Sequence, residues 1–143
     1  SEVHNESDIW RDYFQLFELE NNNSQRLIVP GKARLLNQEN CFSFGPWVII
    51  ANNSANMILE TKSFNSSRIL NWPYFILKTD YDHYALIYGC TSTNYTYTDP
   101  CDEPILWIFS RAAVLSNEYL NDLDEYIEST LCINLTSLEV RHI

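Results

Sequence analysis

A β-hairpin is predicted by residues 74–90, whose sequence is YFILKTDYDHYALIYGC. Residues 74–79 and 84–90 are rich in aromatic and aliphatic side chains, and the polar residues 80–83 between them suit a tight turn. Similar segments, separated by clusters of Asn, Ser and Asp, lie at residues 10–20, 26–36, 42–51, 57–64 and 105–109. Strands at a spacing of roughly 8–12 residues predict an antiparallel sandwich or barrel.

One segment departs from this strand pattern and predicts a helix. Ser116 can cap a helix that runs to residue 129. Its apolar residues form a single stripe, which consists of Leu120, Leu123, Ile127 and Leu131. Its opposite face is acidic and consists of Glu118, Asp122, Asp124, Glu125 and Glu128. Such a face usually contacts solvent, and a docking surface is the alternative. A final strand is predicted over residues 135–140.

Length and composition limit the classes of protein to which this chain can belong. The 143 residues suit a single domain, residues 1–143, and a 45% apolar content argues against disorder. A net charge of −10 disfavours binding to nucleic acid or to an anionic membrane surface. The longest apolar stretch, near residues 46–51, is far shorter than the roughly 20 residues of a membrane helix. We therefore expect no nucleic-acid partner and no membrane span.

Cysteine usage points to an oxidising compartment. The chain has Cys41, Cys90, Cys101 and Cys132, which form no Cys-x-x-Cys motif and lie far from the three histidines. These spacings disfavour a metal site and favour two disulfides, for which three pairings are open. Six glycosylation sequons agree, at Asn5, Asn22, Asn52, Asn65, Asn94 and Asn134. Together they predict a secreted, extracellular glycoprotein.

The order of elements resembles the lipocalin family, an up-and-down antiparallel β-barrel with one α-helix packed outside. Residues 74–90 resemble the family's Thr-Asp-Tyr hairpin motif, and residues 108–111, IFSR, resemble the motif that ends the last barrel strand. Residues 115–131 fit the outer helix, and residues 31–37 resemble the third strand of retinol-binding protein. The likeness covers Tyr13 to the C-terminus. It is greatest to the branch that contains retinol-binding protein, apolipoprotein D and the arthropod pigment lipocalins (crustacyanin and the bilin-binding proteins).

One family motif is missing. The Gly-x-Trp motif of the first strand, strand A, has no counterpart, and Trp10 aligns with the second strand. Arg111 aligns with the arginine that covers this tryptophan in the family, and would need another contact. Three explanations stay open: strand A is cleaved off, a second chain supplies it, or the barrel has one strand fewer. Because an open sheet edge invites pairing, we expect strand A to be replaced, with a homo- or hetero-oligomer as one route.

The resemblance also implies a pairing for the cysteines. Cys90 and Cys101 align with a family disulfide that joins the ends of the last two barrel strands. Cys41 and Cys132 are then left as the second expected pair. Family relatives link those two regions to terminal cysteines that this chain lacks.

The barrel implied by the resemblance would hold one small hydrophobic ligand, of the carotenoid, bilin, retinoid, steroid or fatty-acid class. No cofactor beyond this bound apolar molecule is expected. The inward, ligand-binding residues would be Tyr13, Phe17, Leu27, Val29, Phe44, Leu59, Thr61, Tyr74, Ile76, Ile87, Gly89, Ile105, Trp107 and Phe109. Alternation independently places Leu27 with Val29, and Ile105 with Trp107 and Phe109. The alternative is that these side chains fill a core without a cavity.

Two further functions compete with the carrier. An interaction subunit would use the barrel as a scaffold and pair with a second chain, with little or no ligand cavity. An enzyme is disfavoured, because no Ser-His-Asp, phosphate-loop or HExxH motif appears and all four cysteines are expected to be paired. Asp80 and Asp82 resemble an acid–base pair, but on a hairpin they more often bond to the backbone of the turn.

Overall fold

The computed structural model describes residues 10–35, 39–51, 54–62, 69–90, 101 and 104–138. These residues are mainly β. The strands are β1 (Trp10–Gln15), β2 (Glu18–Glu20), β3 (Asn23–Leu35), β4 (Cys41–Ala51), β5 (Asn56–Lys62), β6 (Ile69–Thr79), β7 (Tyr84–Cys90) and β8 (Pro104–Ser110). They are followed by one helix, α1 (Asn117–Ser129), and a 3₁₀ turn, Leu135–Ser137.

All strand pairs are antiparallel, in the order β1-β3-β4-β5-β6-β7-β8, with β2 beside β1 on β3. The sheet curls into a half-barrel. Its two edges, β1–β2 and β8, form no backbone pairs with each other within the described residues. The edges meet through side chains, because the rings of Phe17 and Phe109 lie edge to face with centroids 6.3 Å apart. The predicted antiparallel sheet with a C-terminal helix is confirmed. The described residues do not close this sheet into a barrel by strand pairing.

The single strand predicted over residues 10–20 is divided into β1 and β2. Leu16 and Phe17 lie between them, and the Leu16 amide donates to the Pro30 carbonyl at 3.0 Å. On β3 the register shifts between Val29 and Gly31, at the proline that cannot donate to the ladder. The register shift of β3 lies opposite the interruption between β1 and β2. The edge strand is therefore divided here, while β3 continues.

The turn between β6 and β7 is organised by Asp80. One carboxylate oxygen, Oδ1, accepts from the backbone N–H groups of Asp82 (3.2 Å), His83 (2.8 Å) and Tyr84 (3.0 Å), and Oδ2 lies 2.6 Å from His83 Nδ1. Burial opposes ionisation, but these hydrogen bonds and the nearby His83 outweigh it and hold the pKa of Asp80 well below its usual range. Arg111 also joins this turn, because its guanidinium donates to the Tyr81 carbonyl at 3.1 Å.

Replacement of Asp80 by asparagine is expected to lower the melting temperature by a few degrees near neutral pH. Because the pKa of Asp80 is lowered on folding, its charge stabilises the protein above the unfolded value, near pH 4, and the effect is lost as pH falls. The difference between wild type and Asp80→Asn should therefore shrink below pH 4 in thermal scans. Asp82→Asn, at an exposed neighbour, is the control. A constant difference across pH would contradict the role of the charge.

The helix packs on the convex face of β6–β8. Leu123 and Ile127 of the predicted stripe are buried against Tyr84 and Leu86. Ser116 has the extended backbone of an N-cap, and its carbonyl accepts from the Leu120 amide at 3.1 Å, but its side chain makes no capping bond. The helix is therefore held by packing rather than by its cap.

Polar contacts fix the same interface. Asp122 Oδ2 accepts from Lys78 Nζ at 2.7 Å and from the Tyr84 hydroxyl at 2.9 Å. These two bonds hold the pKa of Asp122 below its usual value, and burial with the same contact raises the pKa of Tyr84 to about 12. A register shift between Ile76 and Lys78 lets both Leu77 and Lys78 contact the helix. Asp122, on the predicted acidic face, is thus part of the helix–sheet contact.

The final strand predicted over residues 135–140 is wrong for residues 135–138, and 139–140 lie outside the described residues. Leu135–Ser137 forms a 3₁₀ turn instead. The Asn134 side chain accepts from the Thr136 amide at 2.9 Å, and the Asn134 carbonyl accepts from the Ser137 amide at 2.9 Å. Local side-chain bonding by Asn competes with strand formation here.

Only one of the two expected disulfides is present. Cys90 and Cys101 are bonded, with Cα atoms 5.9 Å apart. Cys41 and Cys132 are unbonded and exposed, so the expected second pair is wrong. Cys41 begins β4, whereas Cys132 follows α1 in a segment that packs against β6–β8. The two cysteines therefore belong to different parts of the sheet. The premise that every thiol is blocked therefore fails, although neither free thiol is buried.

Candidate functional site

The concave face of the curled sheet is built by alternation, which turns every second side chain of a strand towards it. Strand pairing aligns these side chains into rows. One row contains Met57, Tyr74, Gly89 and Ile105, and the next contains Ile76, Ile87 and Trp107. On the opposite wall, Val29 lies beside Trp47, and Leu27 beside Ile49. The face is consequently apolar and rich in aromatic rings.

Four buried residues form the centre of this face: Val29, Ile49, Tyr74 and Ile87. Partly buried side chains surround them, namely Leu27, Trp47, Met57, Leu59, Ile76, Ala85, Trp107 and Phe109. Full burial of such a side chain contributes about 2 kcal/mol to folding. The partly buried ring of residues retains accessible apolar surface, which is what a bound apolar molecule would cover.

Gly89 allows Trp107 to lie across β7. A Cβ atom at residue 89 would fall 2.5 Å from Cζ3 and 2.6 Å from Cη2 of the Trp107 ring. The ring then reaches Tyr74, with centroids 6.0 Å apart. The glycine therefore has a packing role on the concave face, which agrees with its predicted inward position.

A second group of rings lines the other wall. Phe44 stacks on Trp47 with centroids 6.4 Å apart and an interplanar angle of 8°. Tyr13 on β1 tilts against Phe44 at 6.1 Å. Together with Tyr74 and Trp107, these rings give the concave face flat aromatic surfaces on two sides.

Charged strand residues alternate with the concave ones and belong to the convex face. Arg26 pairs with Glu20 at 2.5 Å and reaches Glu60 at 3.8 Å. Arg34 pairs with Asp12 at 2.8 Å. None of the described charged residues is buried, so the buried centre of the concave face is uncharged.

Two tyrosines bring hydroxyl groups to this uncharged face. Burial raises the pKa of Tyr13 to about 12. The pKa of Tyr74 is raised further, first by burial and then by repulsion from Tyr13. Both phenols are therefore protonated and neutral throughout the physiological range, and each can donate a hydrogen bond.

Four buried side-chain polar atoms have no hydrogen-bond partner among the described residues. They are the Tyr74 hydroxyl, Trp72 Nε1, Gln15 Oε1 and Arg34 Nε. Tyr74 is only 5% exposed. Trp72 precedes Tyr74 by two residues on β6, and Gln15 pairs with Gly31 beside Trp47. Buried polar groups are normally hydrogen-bonded, so the two donors on β6, the Tyr74 hydroxyl and Trp72 Nε1, are available to a further partner.

Most predicted inward residues share the concave face. Eight belong to its cluster: Leu27, Val29, Leu59, Tyr74, Ile76, Ile87, Trp107 and Phe109. Tyr13, Phe44, Gly89 and Ile105 border it. Phe17 is 45% exposed between β1 and β2 and contacts Phe109, and the Thr61 side chain lies outside the described residues. A ligand-binding role for these residues stays a prediction.

The predicted inward set lacked five residues of this face: Trp47, Ile49, Met57, Trp72 and Ala85. Met57 and Ala85 precede Leu59 and Ile87 by two residues, so strict alternation identifies them. Trp47 and Ile49 were hidden because the β3–β4 register shifts between Val29 and Gly31, opposite Gly45-Pro46, and moves the inward set of β4 by one residue.

The remaining site predictions divide between described and undescribed residues. Asn22 and Asn134 are exposed, and Asn5, Asn52, Asn65 and Asn94 lie outside the described residues.

Within the described ranges, no three His, Cys, Asp or Glu side chains gather as a metal site requires. No helix in those ranges has the length and apolar character to cross a bilayer. A small groove of about 170 Å³ runs between Phe14 and Pro46, apart from the buried centre.

No protein-family model and no curated protein sequence matches the chain. The candidate site therefore stands on its own residues.

Proposed function

We propose that the protein is a lipocalin-like carrier that binds one small hydrophobic molecule on the concave face of its sheet. The observation that carries this proposal is the uncharged, aromatic concave face, which α1 leaves uncovered because the helix packs on the convex side. Ligand sites are mostly apolar with a few polar groups that orient the ligand, and this face has that composition. The proposal includes no catalytic step.

Paired substitutions on β8 test the site. Phe109 belongs to the concave cluster, and its neighbour Ile108 is 42% exposed on the other face. Phe109→Ala is expected to weaken binding of the fluorescent hydrocarbon diphenylhexatriene about tenfold, because it removes apolar contact area. Ile108→Ala should leave the dissociation constant unchanged. Equal affinities for both variants and wild type would refute this binding site, and failure to bind diphenylhexatriene, retinol or retinoic acid would refute the carrier.

Native material offers an independent check. An absorption spectrum of the purified protein, with mass spectrometry of its organic extract, should reveal a stoichiometric apolar molecule of the carotenoid, bilin, retinoid, steroid or fatty-acid class. An empty extract together with a co-purifying second chain would instead favour the alternative below.

The alternative function is an interaction subunit to which a second chain supplies the missing strand. The supporting observation is the β1–β2 edge, where large apolar side chains are 45–53% exposed: Phe14, Leu16, Phe17 and Leu19. Edge strands are usually protected by charge, proline or a covering element, and residues 14–17 carry no charge. Native mass spectrometry would support this function by a mass above the 16.8 kDa chain plus its glycans, and a monomer would exclude it.

We also propose that the protein is secreted and glycosylated. The Cys90–Cys101 disulfide favours an oxidising compartment, and the exposed side chains of Asn22 and Asn134 are accessible to glycan transfer. Enzymatic deglycosylation of protein from a eukaryotic secretory host should lower its mass. An unchanged mass would reject glycosylation.

A further inference from the structure

We propose that the concave face selects an uncharged ligand that carries a hydroxyl or carbonyl oxygen, and that Tyr74 and Trp72 bind this oxygen. The inference rests on the proposed carrier function and deepens it by naming the ligand class. Neither residue was identified as a polar subsite from the sequence.

The unsatisfied donors define what the ligand must offer. Tyr74 is 5% exposed and its hydroxyl has no partner among the described residues, and the same holds for the buried Trp72 Nε1. An indole N–H can only donate, so the ligand atom opposite Trp72 must be an acceptor. A hydroxyl or carbonyl oxygen meets this requirement. A pure hydrocarbon leaves both groups unsatisfied, which costs affinity.

The charge distribution excludes ionised ligands. Three basic strand residues, Arg26, Arg34 and Lys78, are paired with carboxylates, and none of them belongs to the apolar cluster of the concave face. A ligand carboxylate on the concave face would be buried without a counter-charge, and so would an ammonium group. Burial of an unpaired charge is strongly unfavourable, whereas a neutral oxygen loses little when it meets two donors.

The rings around the subsite suit a planar or polyene body next to the oxygen. Trp107 contacts Tyr74 directly, and the Phe44–Trp47 stack lines the facing wall. Aromatic faces of this kind contribute large contact areas with little loss of side-chain freedom. The ligand would therefore place its oxygen at Tyr74 and its apolar body along these rings.

Three probes test the inference: diphenylhexatriene, which has no oxygen, and retinol and retinoic acid, which share one skeleton but differ in charge at neutral pH. Dissociation constants would come from probe fluorescence and from quenching of tryptophan emission. Retinol is expected to bind at least about tenfold more tightly than retinoic acid, a difference of 1.4 kcal/mol. Tyr74→Phe should weaken retinol about fivefold, because one neutral hydrogen bond is lost, and leave diphenylhexatriene unchanged.

Tyr81→Phe is the matched control, since Tyr81 is 80% exposed in the β6–β7 turn and should affect no probe. If diphenylhexatriene binds, but retinoic acid binds as tightly as retinol or Tyr74→Phe has no selective effect, the subsite is refuted and the carrier survives. If none of the three probes binds, the carrier function itself fails. Thermal scans of both variants establish that each is folded.

Discussion

Truncation of Leu123 to alanine is expected to lower the free energy of unfolding by about 3 kcal/mol, the largest effect of any single substitution proposed for this protein. Leu123 is 0% exposed between α1 and the convex face of β6–β8, where it packs in one cluster with Leu86 and Ile127. The loss combines the transfer free energy of the removed methyl groups with the cavity that remains.

The measurement is urea unfolding followed by circular dichroism, with equal slopes required for the comparison. Val114→Ala is the matched control, because Val114 is 83% exposed just before the helix and should change stability by less than about 0.5 kcal/mol. Equal stabilities for the two variants would mean that the helix does not dock as described. The polar contacts of Asp122 would then be too weak to hold it.

The second large effect concerns the disulfide between Cys90 and Cys101. The bond closes a loop with a sequence separation of 11 residues, and in the chain-entropy view its loss should destabilise the protein by about 3 kcal/mol. The double variant Cys90→Ala, Cys101→Ser should show this difference in urea unfolding. Cys41→Ser and Cys132→Ser, at exposed free thiols, should be near wild type.

Thiol titration of the unfolded, unreduced protein is the companion measurement. Two thiols per chain are expected, from Cys41 and Cys132. A count of zero would show that these two cysteines are bonded after all, within one chain or between chains. A count of four would show that the Cys90–Cys101 bond is absent, and the expected destabilisation of the double variant would then vanish.

Both experiments also test the part of the sheet that supports the concave face. Leu86 and Ile87 are neighbours on β7 that face opposite ways, the first into the helix contact and the second into the concave face. A loosened helix contact would therefore disturb the wall that carries Tyr74 and Trp107. Binding of diphenylhexatriene by the Leu123→Ala variant would measure how strongly the two faces are coupled.

Local sequence patterns determined much of this protein. Alternation identified Leu27 with Val29 and Trp107 with Phe109, because strand side chains have a period of two that depends on no other element. The stripe containing Leu123 and Ile127 gave the helix for the equivalent reason. The hairpin at Asp80 was also local, since the bonds that the Asp80 carboxylate accepts in the turn join residues at most four positions apart.

Only the tertiary structure decided the rest, because it depends on register and on contacts between distant residues. The register shift opposite Pro46 sets which β4 residues face inward, and so brings Trp47 and Ile49 into the concave face. Asp122 meets Lys78 across 44 positions, which turns an apparent solvent-facing acid into a helix contact. Three further features depend on the tertiary structure: the unbonded Cys41, the open sheet edges and the unsatisfied Tyr74 hydroxyl. The spacing of residues along the chain does not specify which residues lie next to each other across the sheet.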